Sequence, residues 1–306
     1  AESLSWEAMC DWQPENGTLW VHLNYEHPEV EQWLRKHSGL NDIAVSALLS
    51  PETRPRTVTR GDNLLLALRG VNLNPGEDPE DMVSIRIWTD GKRIISTFRR
   101  KLLAIDDVWT QLEAATGPDS AADWLVSLND CLTRRMNDTI ETLEDEVLAV
   151  EEEILSGYSD GLRSRLARLR KQALGIRRFL SPQREALNRL IGERLSWIDE
   201  LNTLRLREVN DRLIRYVEDL DELRERASMA QEELLSTISE QMNKRTYVLT
   251  IVAALFLPLS FFTGLMGINV GGMPGVENDL GFWGVTVLCL LVAIVLGLFF
   301  HRKNWL

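Results

Sequence analysis

The sequence predicts an α+β cytoplasmic domain, a sheet covered by helices, followed by a long stalk helix and two transmembrane helices. Three observations carry that prediction. Two charge-free apolar runs, Val248–Met266 and Phe282–Phe300, are each about 19 residues long, enough for a helix to cross a hydrocarbon core of about 30 Å. Ahead of them no Pro or Gly occurs from Asp199 to Leu257, and apolar residues recur at steps of three and four. Before Gly117-Pro118 the chain instead mixes alternating strand-like stretches with helical spacing, the pattern of a sheet covered by helices.

In residues 1–118, the α/β domain, Leu19–Leu23 is a short apolar strand. Pro28 opens a helix that stops at Gly39, and Asn41 caps a second helix running to Leu49. Thr57–Arg60 and Leu64–Val71 read as strands around Gly61-Asp62-Asn63. Met82–Trp88 and Arg93–Arg99 alternate in polarity and flank Asp90-Gly91, a strong hairpin signal. Leu102–Ala115 returns to helical spacing.

Residues 119–198 form a helical hairpin region. Asp119 or Ser120 caps a helix from Ala121 to Leu155 whose second half is acidic, with Glu141, Glu144, Asp145, Glu146 and Glu151–Glu153. The next helix, Gly161–Leu180, is basic, and Pro182 interrupts it. The opposite charges predict ion pairs along the seam of this hairpin, each worth roughly 0–1 kcal/mol; cation binding by the acidic helix is the functional alternative. Residues 199–246 are the stalk. Leu206, Val209, Leu213, Val217, Leu220, Leu223, Ala227, Ala230, Leu234 and Ile238 form one stripe, and a single helix cannot bury such a stripe alone. Copies of the chain are therefore expected to pack around a common axis.

Orientation follows from the flanks. Lys244 and Arg245 precede the first span (247–266), Arg302 and Lys303 lie in the basic tail (301–306) after the second (282–300), and the loop 267–281 carries Glu277 and Asp279 but no Lys or Arg. The positive-inside rule puts both termini in the cytoplasm. A net charge of -12 lacks the basic footprint that phosphate requires, which argues against nucleic acid as a partner. Cys10, Cys131 and Cys289 form no CxxC pair, and His22, His27, His37 and His301 are scattered, so surface or packing roles are expected for them. No apolar stretch opens the chain, so no secretory signal is expected. No phosphate loop, nucleophile elbow or metal-hydrolase motif suggests an enzyme, and no cofactor is implied.

Two spans cannot enclose a water-filled path, so a pore needs several chains. The second span is uniformly bulky and apolar. The first places Thr246, Leu249, Thr250, Ala253, Leu257 and Ser260 on one face, where small and hydroxyl residues allow close helix packing or contact with water. Leu249 and Leu257 are expected constrictions. Neither span holds Asp, Glu, His, Lys or Arg, so any proton coupling belongs to the loop or the stalk.

Met266-Gly267-Ile268-Asn269 directly after the first span, the acidic loop, and the tail with Arg302, Lys303, Trp305 and Leu306 resemble the CorA superfamily of divalent-cation transporters. The continuation Val270-Gly271-Gly272-Met273-Pro274-Gly275, and Glu52-Thr53-Arg54-Pro55-Arg56 in the soluble domain, are similar to its ZntB zinc-transporter branch. Met266 stands where the magnesium-transporting branch has Tyr. The resemblance implies a funnel-shaped homopentamer in the bacterial inner membrane, with the first span lining the pore. It implies an outer filter of Gly267, Ile268 and Asn269 that holds a hydrated ion, with Glu277 and Asp279 drawing cations to the mouth. It further implies zinc as the transported ion, uptake as the direction, and protons as the coupling partner. A magnesium or cobalt channel of the same architecture is the alternative, and a membrane-anchored scaffold or sensor the alternative of another class.

Overall fold

The structure, a computed structural model, describes residues 2–51, 53–157, 161–267 and 280–302. It divides into two compact units, one ending at Glu233 and one beginning at Leu234.

The first unit is built on a five-stranded sheet of β1 (Leu19–Asn24), β2 (Arg56–Arg60), β3 (Asn63–Gly70), β4 (Val83–Thr89) and β5 (Arg93–Phe98), in the order β1-β5-β4-β3-β2. β1 pairs in parallel with β5, and every other pairing is antiparallel. The predicted β4–β5 hairpin is present. Gly91 takes φ +86, and the Asp90 carboxylate accepts from the backbone N–H groups of Lys92 and Arg93. Two elements come in addition to the predicted ones, α1 (Trp6–Cys10) and a 3-10 turn at Pro14–Asn16.

Helices cover both faces. α2 (Pro28–Lys36) and α3 (Asp42–Leu48) bury Leu34, Ala44, Val45 and Leu48 against Val21, Leu23, Trp88 and Ile95. Asn41 caps α3 by accepting from Ala44 N at 2.8 Å. On the other face lie α5 (Ala121–Leu155) and α6 (Leu162–Gly192), after the shorter α4 (Leu103–Glu113). Ser120 caps α5, accepting from Asp123 N at 3.1 Å. Thr57 donates to the Ala186 carbonyl at 2.6 Å, and Gln183 accepts from the backbone N–H of Arg69 at 2.7 Å, fixing α6 to β2 and β3.

These contacts explain why α6 does not stop where the sequence predicts. The helix runs through Pro182 to Gly192, because Leu180, Gln183, Ala186, Leu187 and Leu190 are buried on both sides of the proline and their packing outweighs one missing backbone donor. The linker after α6 is held by both hairpin turns. Ser196 donates to the Asp62 carboxylate from N and Oγ, Trp197 Nε1 donates to the Asp62 carbonyl at 2.8 Å, and the indole lies where a Cβ on Gly91 would meet it at 2.4 Å.

α7 (Glu200–Met266) is one helix, and its first part belongs to this unit. Leu206, Val209, Leu213, Val217, Leu220, Leu223, Ala227 and Ala230 are buried within a single chain. From Leu206 to Ala230 the stripe is thus covered within one chain, where further copies were expected to cover it: α5 and α6 supply the surface. The predicted seam of ion pairs also lies elsewhere. Glu153–Arg165 at 2.7 Å joins the acidic and basic helices, but α5 pairs mainly with α7, through Asp123–Arg205, Asp130–Arg212 and Glu151–Arg226 at 3.1, 2.6 and 2.6 Å. Residue numbers rise together along that ladder, so α5 and α7 run parallel. α6 runs antiparallel to α7, as Arg170–Gln231 and Arg177–Asp221 show.

At the sheet edge, His22 stacks on Phe98 with ring centres 4.3 Å apart and shares the Ser96 hydroxyl with Trp20 Nε1. Burial lowers its pKa to about 4 from an ordinary 6.5, against an opposing pull from Asp106. The imidazole is therefore neutral in the fold at pH 7, while the unfolded chain binds a proton there as pH falls below 6.5.

Two outcomes follow. Acidification from pH 6.5 towards 4 should remove up to about 3 kcal/mol of stability from this unit, and His22→Gln should flatten that part of the pH profile of denaturant unfolding. Leu213→Ala should cost about 2–5 kcal/mol at any protein concentration, because the stripe is covered within one chain.

Candidate functional site

The second unit contains the rest of α7 and α8 (Gly281–Arg302), and both helices are long and apolar enough to cross a membrane. Phe300 and Ile251 are the buried contacts between them. On α7 the less exposed positions are Ile251, Ala254, Leu255, Pro258, Leu259 and Phe262, which share one side at about 100° per residue. α8 exposes Phe282, Trp283, Leu290, Leu291, Ile294 and Leu298, an apolar surface that suits lipid or a neighbouring helix.

The predicted stripe lies mostly on the opposite side of α7. Leu249 and Leu257 are 69% and 73% exposed, and Ala253 and Ser260 are exposed with them. Thr246 and Thr250 sit at the margin, where they line a cleft with Asn243, Tyr247, Ile251, Ala254 and Phe300. The stripe is therefore a face that α8 leaves open along most of its length and borders at its first turn. Phe256, exposed between Leu249 and Ser260 and one heptad after Leu249, belongs to that face and was not among the predicted residues.

The hydroxyls along this segment turn back on the helix. Thr250 donates to the Thr246 carbonyl at 2.8 Å, and Thr263 to the Leu259 carbonyl at 3.0 Å. Such back-bonding satisfies the hydroxyl proton and leaves the oxygen lone pairs and the methyl group facing outward. Gly267 closes α7, its N–H bonded to the carbonyls of Thr263 and Gly264. Ile268 and Asn269 of the predicted filter, and Glu277 and Asp279 of the loop, lie outside the described residues.

In the first unit, the acidic face of α5 meets carboxylates of α7. Burial raises the pKa of Glu144, and Asp219 and Glu222 raise it further; Asp219 is raised by burial and then by Glu222 and Glu218. Among the described residues no three His, Cys, Asp or Glu side chains are arranged to hold a metal ion.

An α+β unit followed by two membrane-length helices, the first of which keeps one face open, defines a class of two-span membrane proteins. The family model described as CorA-like Mg2+ transporter protein matches residues 15–302, and the chain belongs to that family. It is 42% identical over 301 residues to the divalent cation transporter CmaX of Pseudomonas aeruginosa, covering 98% of this chain and 90% of the relative. It is 37% identical over 289 residues to the zinc transport protein ZntB of Yersinia enterocolitica, covering 94% and 88%. The solved structure of full-length CmaX superposes with a TM-score of 0.81 at 41% identity, covering 94% of this chain and 89% of that one. These relatives are transporters, not enzymes.

Proposed function

We propose that this chain transports divalent cations across the bacterial inner membrane, with zinc as the principal ion and uptake as the direction. Several copies, five on the family resemblance, surround a path lined by the open face of α7, with both termini in the cytoplasm. The observation that carries this reading is that face itself. Ala253 and Ser260 keep it narrow and weakly polar, Leu249 and Leu257 interrupt it with apolar rings, and α8 does not cover it. Water withdraws readily from an apolar ring of this kind, which closes the path to ions without a moving plug.

Asn269, with Gly267 and Ile268, forms the outer filter. A ring of carboxamides offers neutral oxygens that hydrogen-bond an ion's water shell, and divalent ions give up that shell reluctantly. Glu277 and Asp279 raise the local cation concentration at the mouth. Support for zinc comes from the ZntB relative and from the glycine-rich run after Asn269; support for a broader divalent range comes from the CmaX relative. Protons are proposed as the coupling partner, through carboxylates outside the spans, since Val248–Met266 and Phe282–Phe300 contain no Asp, Glu, His, Lys or Arg.

Flux into proteoliposomes, zinc against magnesium and cobalt, with and without a pH gradient, tests the reading. Zinc uptake that rises with an inward proton gradient is the expected result, magnesium or cobalt flux alone would favour the sister channel, and no flux of any ion would favour a scaffold. Asn269→Ala should reduce flux at least tenfold while the oligomer elutes unchanged in size-exclusion chromatography. Leu257→Ser should raise ungated cation leak by a similar factor, read in the same vesicles without a gradient.

A further inference from the structure

Two helix faces of the first unit stay uncovered although each carries apolar side chains in a regular row. On α5 the row is Asp145, Leu148, Glu152 and Leu155, on the side opposite the buried Leu143, Val147, Val150 and Ile154. On α6 it is Ala167, Lys171, Leu174 and Arg178. All of these row residues are exposed, Leu148 and Leu174 by nearly half and Leu155 by 82%. Steps that alternate between three and four residues are the spacing of a coiled-coil seam. The rows are opposite in charge: the α5 row carries two carboxylates and no base, the α6 row two cations and no acid. Lys171 reaches Glu80 at 3.2 Å but stays 72% exposed, and Arg178 lies over the Phe179 ring, 5.3 Å from its centre.

The two rows also match in height. Arg165 meets Glu153, and Arg226, the partner of Glu151, lies between Asp221 and Gln231, the partners of Arg177 and Arg170. Leu148 is therefore level with the stretch of α6 around Leu174. Because α5 and α6 run antiparallel, Leu155 then falls level with Ala167, Glu152 with Lys171, and Asp145 with Arg178. A rotation about an axis parallel to these helices leaves heights unchanged. A second copy so placed presents each layer of its α6 row where the first presents the complementary layer of α5. The match ends beyond Asp145, where Asp138 would face Glu185.

We propose that, on the reading above that several copies assemble, the outer face of α5 packs antiparallel on the outer face of α6 of the next copy. Leu148 meets Leu174 and Leu155 meets Ala167, with Asp145–Arg178 and Glu152–Lys171 pairs in the layers between. Each exposed pair contributes little by itself, and the effect of the charges is directional. α5 against α5 would set carboxylate beside carboxylate, and α6 against α6 cation beside cation, so twofold pairing is disfavoured. Two different faces that meet head to tail generate a ring when the rotation closes.

Oxidative cross-linking of the full chain in detergent, with Cys10→Ser and Cys289→Ser as background, tests the seam. Leu148→Cys together with Leu174→Cys should give a ladder of covalent dimers and larger species on a denaturing gel, and either substitution alone should give none. Arg178→Glu added to that pair should cut the ladder about fivefold, and Asp145→Arg added in turn should restore it. These positions are exposed, so the fold should tolerate each change. Cross-linking by Leu148→Cys alone would mean a twofold α5 contact and would overturn the proposal. So would an oligomer of full size without a ladder, which leaves the assembly itself standing, and a ladder indifferent to charge reversal, which would come from collision. A monomer in size-exclusion chromatography would remove the assembly and the seam with it.

Discussion

The burial of the α7 stripe, Leu206 through Ala230, is the contact on which the rest of the first unit depends. A helix packed beside two others needs a fixed rotation about its own axis, because that rotation decides which of its side chains are buried. Eight apolar side chains packed under α5 and α6 set it within one chain. Each fully buried Leu or Val contributes roughly 1.5–3 kcal/mol, so a slip by one residue would be heavily penalised.

Charge adds register to that packing. The Asp123–Arg205, Asp130–Arg212 and Glu151–Arg226 pairs are individually weak, since most are a quarter to nearly half exposed. They differ from scattered surface pairs in spacing: the first two are seven residues apart on both helices, so only one axial alignment of α5 and α7 satisfies both. The acidic character of α5 thereby finds a structural use. The carboxylates left over, Glu144 with Asp219 and Glu222, face one another, and Glu144 and Asp219 hold their protons more tightly than usual.

Much of this fold was legible in the sequence because its signals are local. Asn41 and Ser120 cap the helices that follow them, Asp90-Gly91 turns the β4–β5 hairpin, and Ala121–Leu155 reads as a helix with the bounds it has. What could not be read depends on contacts distant in sequence. Pro182 stays inside α6 because Gln183 and Leu187 are clamped against β3 and the core. The stalk's apolar stripe looked like a surface awaiting copies of itself because periodicity states that a face is buried and not what covers it. The burial of Arg86 on β4, only 1% exposed, showed no signal, since an arginine in an alternating strand reads as solvent-facing. Of the proposed ion path, what could be read from helical spacing was the side of α7 that α8 leaves uncovered. The division between Leu249 and Leu257, wholly uncovered, and Thr246 and Thr250, beside α8, needed the partner helix.

The back-bonded threonines of α7 have a consequence for discrimination between metals. A hydroxyl whose proton is already engaged by the carbonyl one turn earlier keeps its oxygen lone pairs, and these can accept from the outward-pointing hydrogens of a hydrated cation. On the proposed ion path such side chains would favour a hydrated cation, whose shell donates, over an anion, whose shell needs donors, and would recognise little else beyond diameter. Choice between one divalent ion and another would then rest with the amide and carboxylate side chains proposed at the mouth, and the shaft would set only how fast a chosen ion passes.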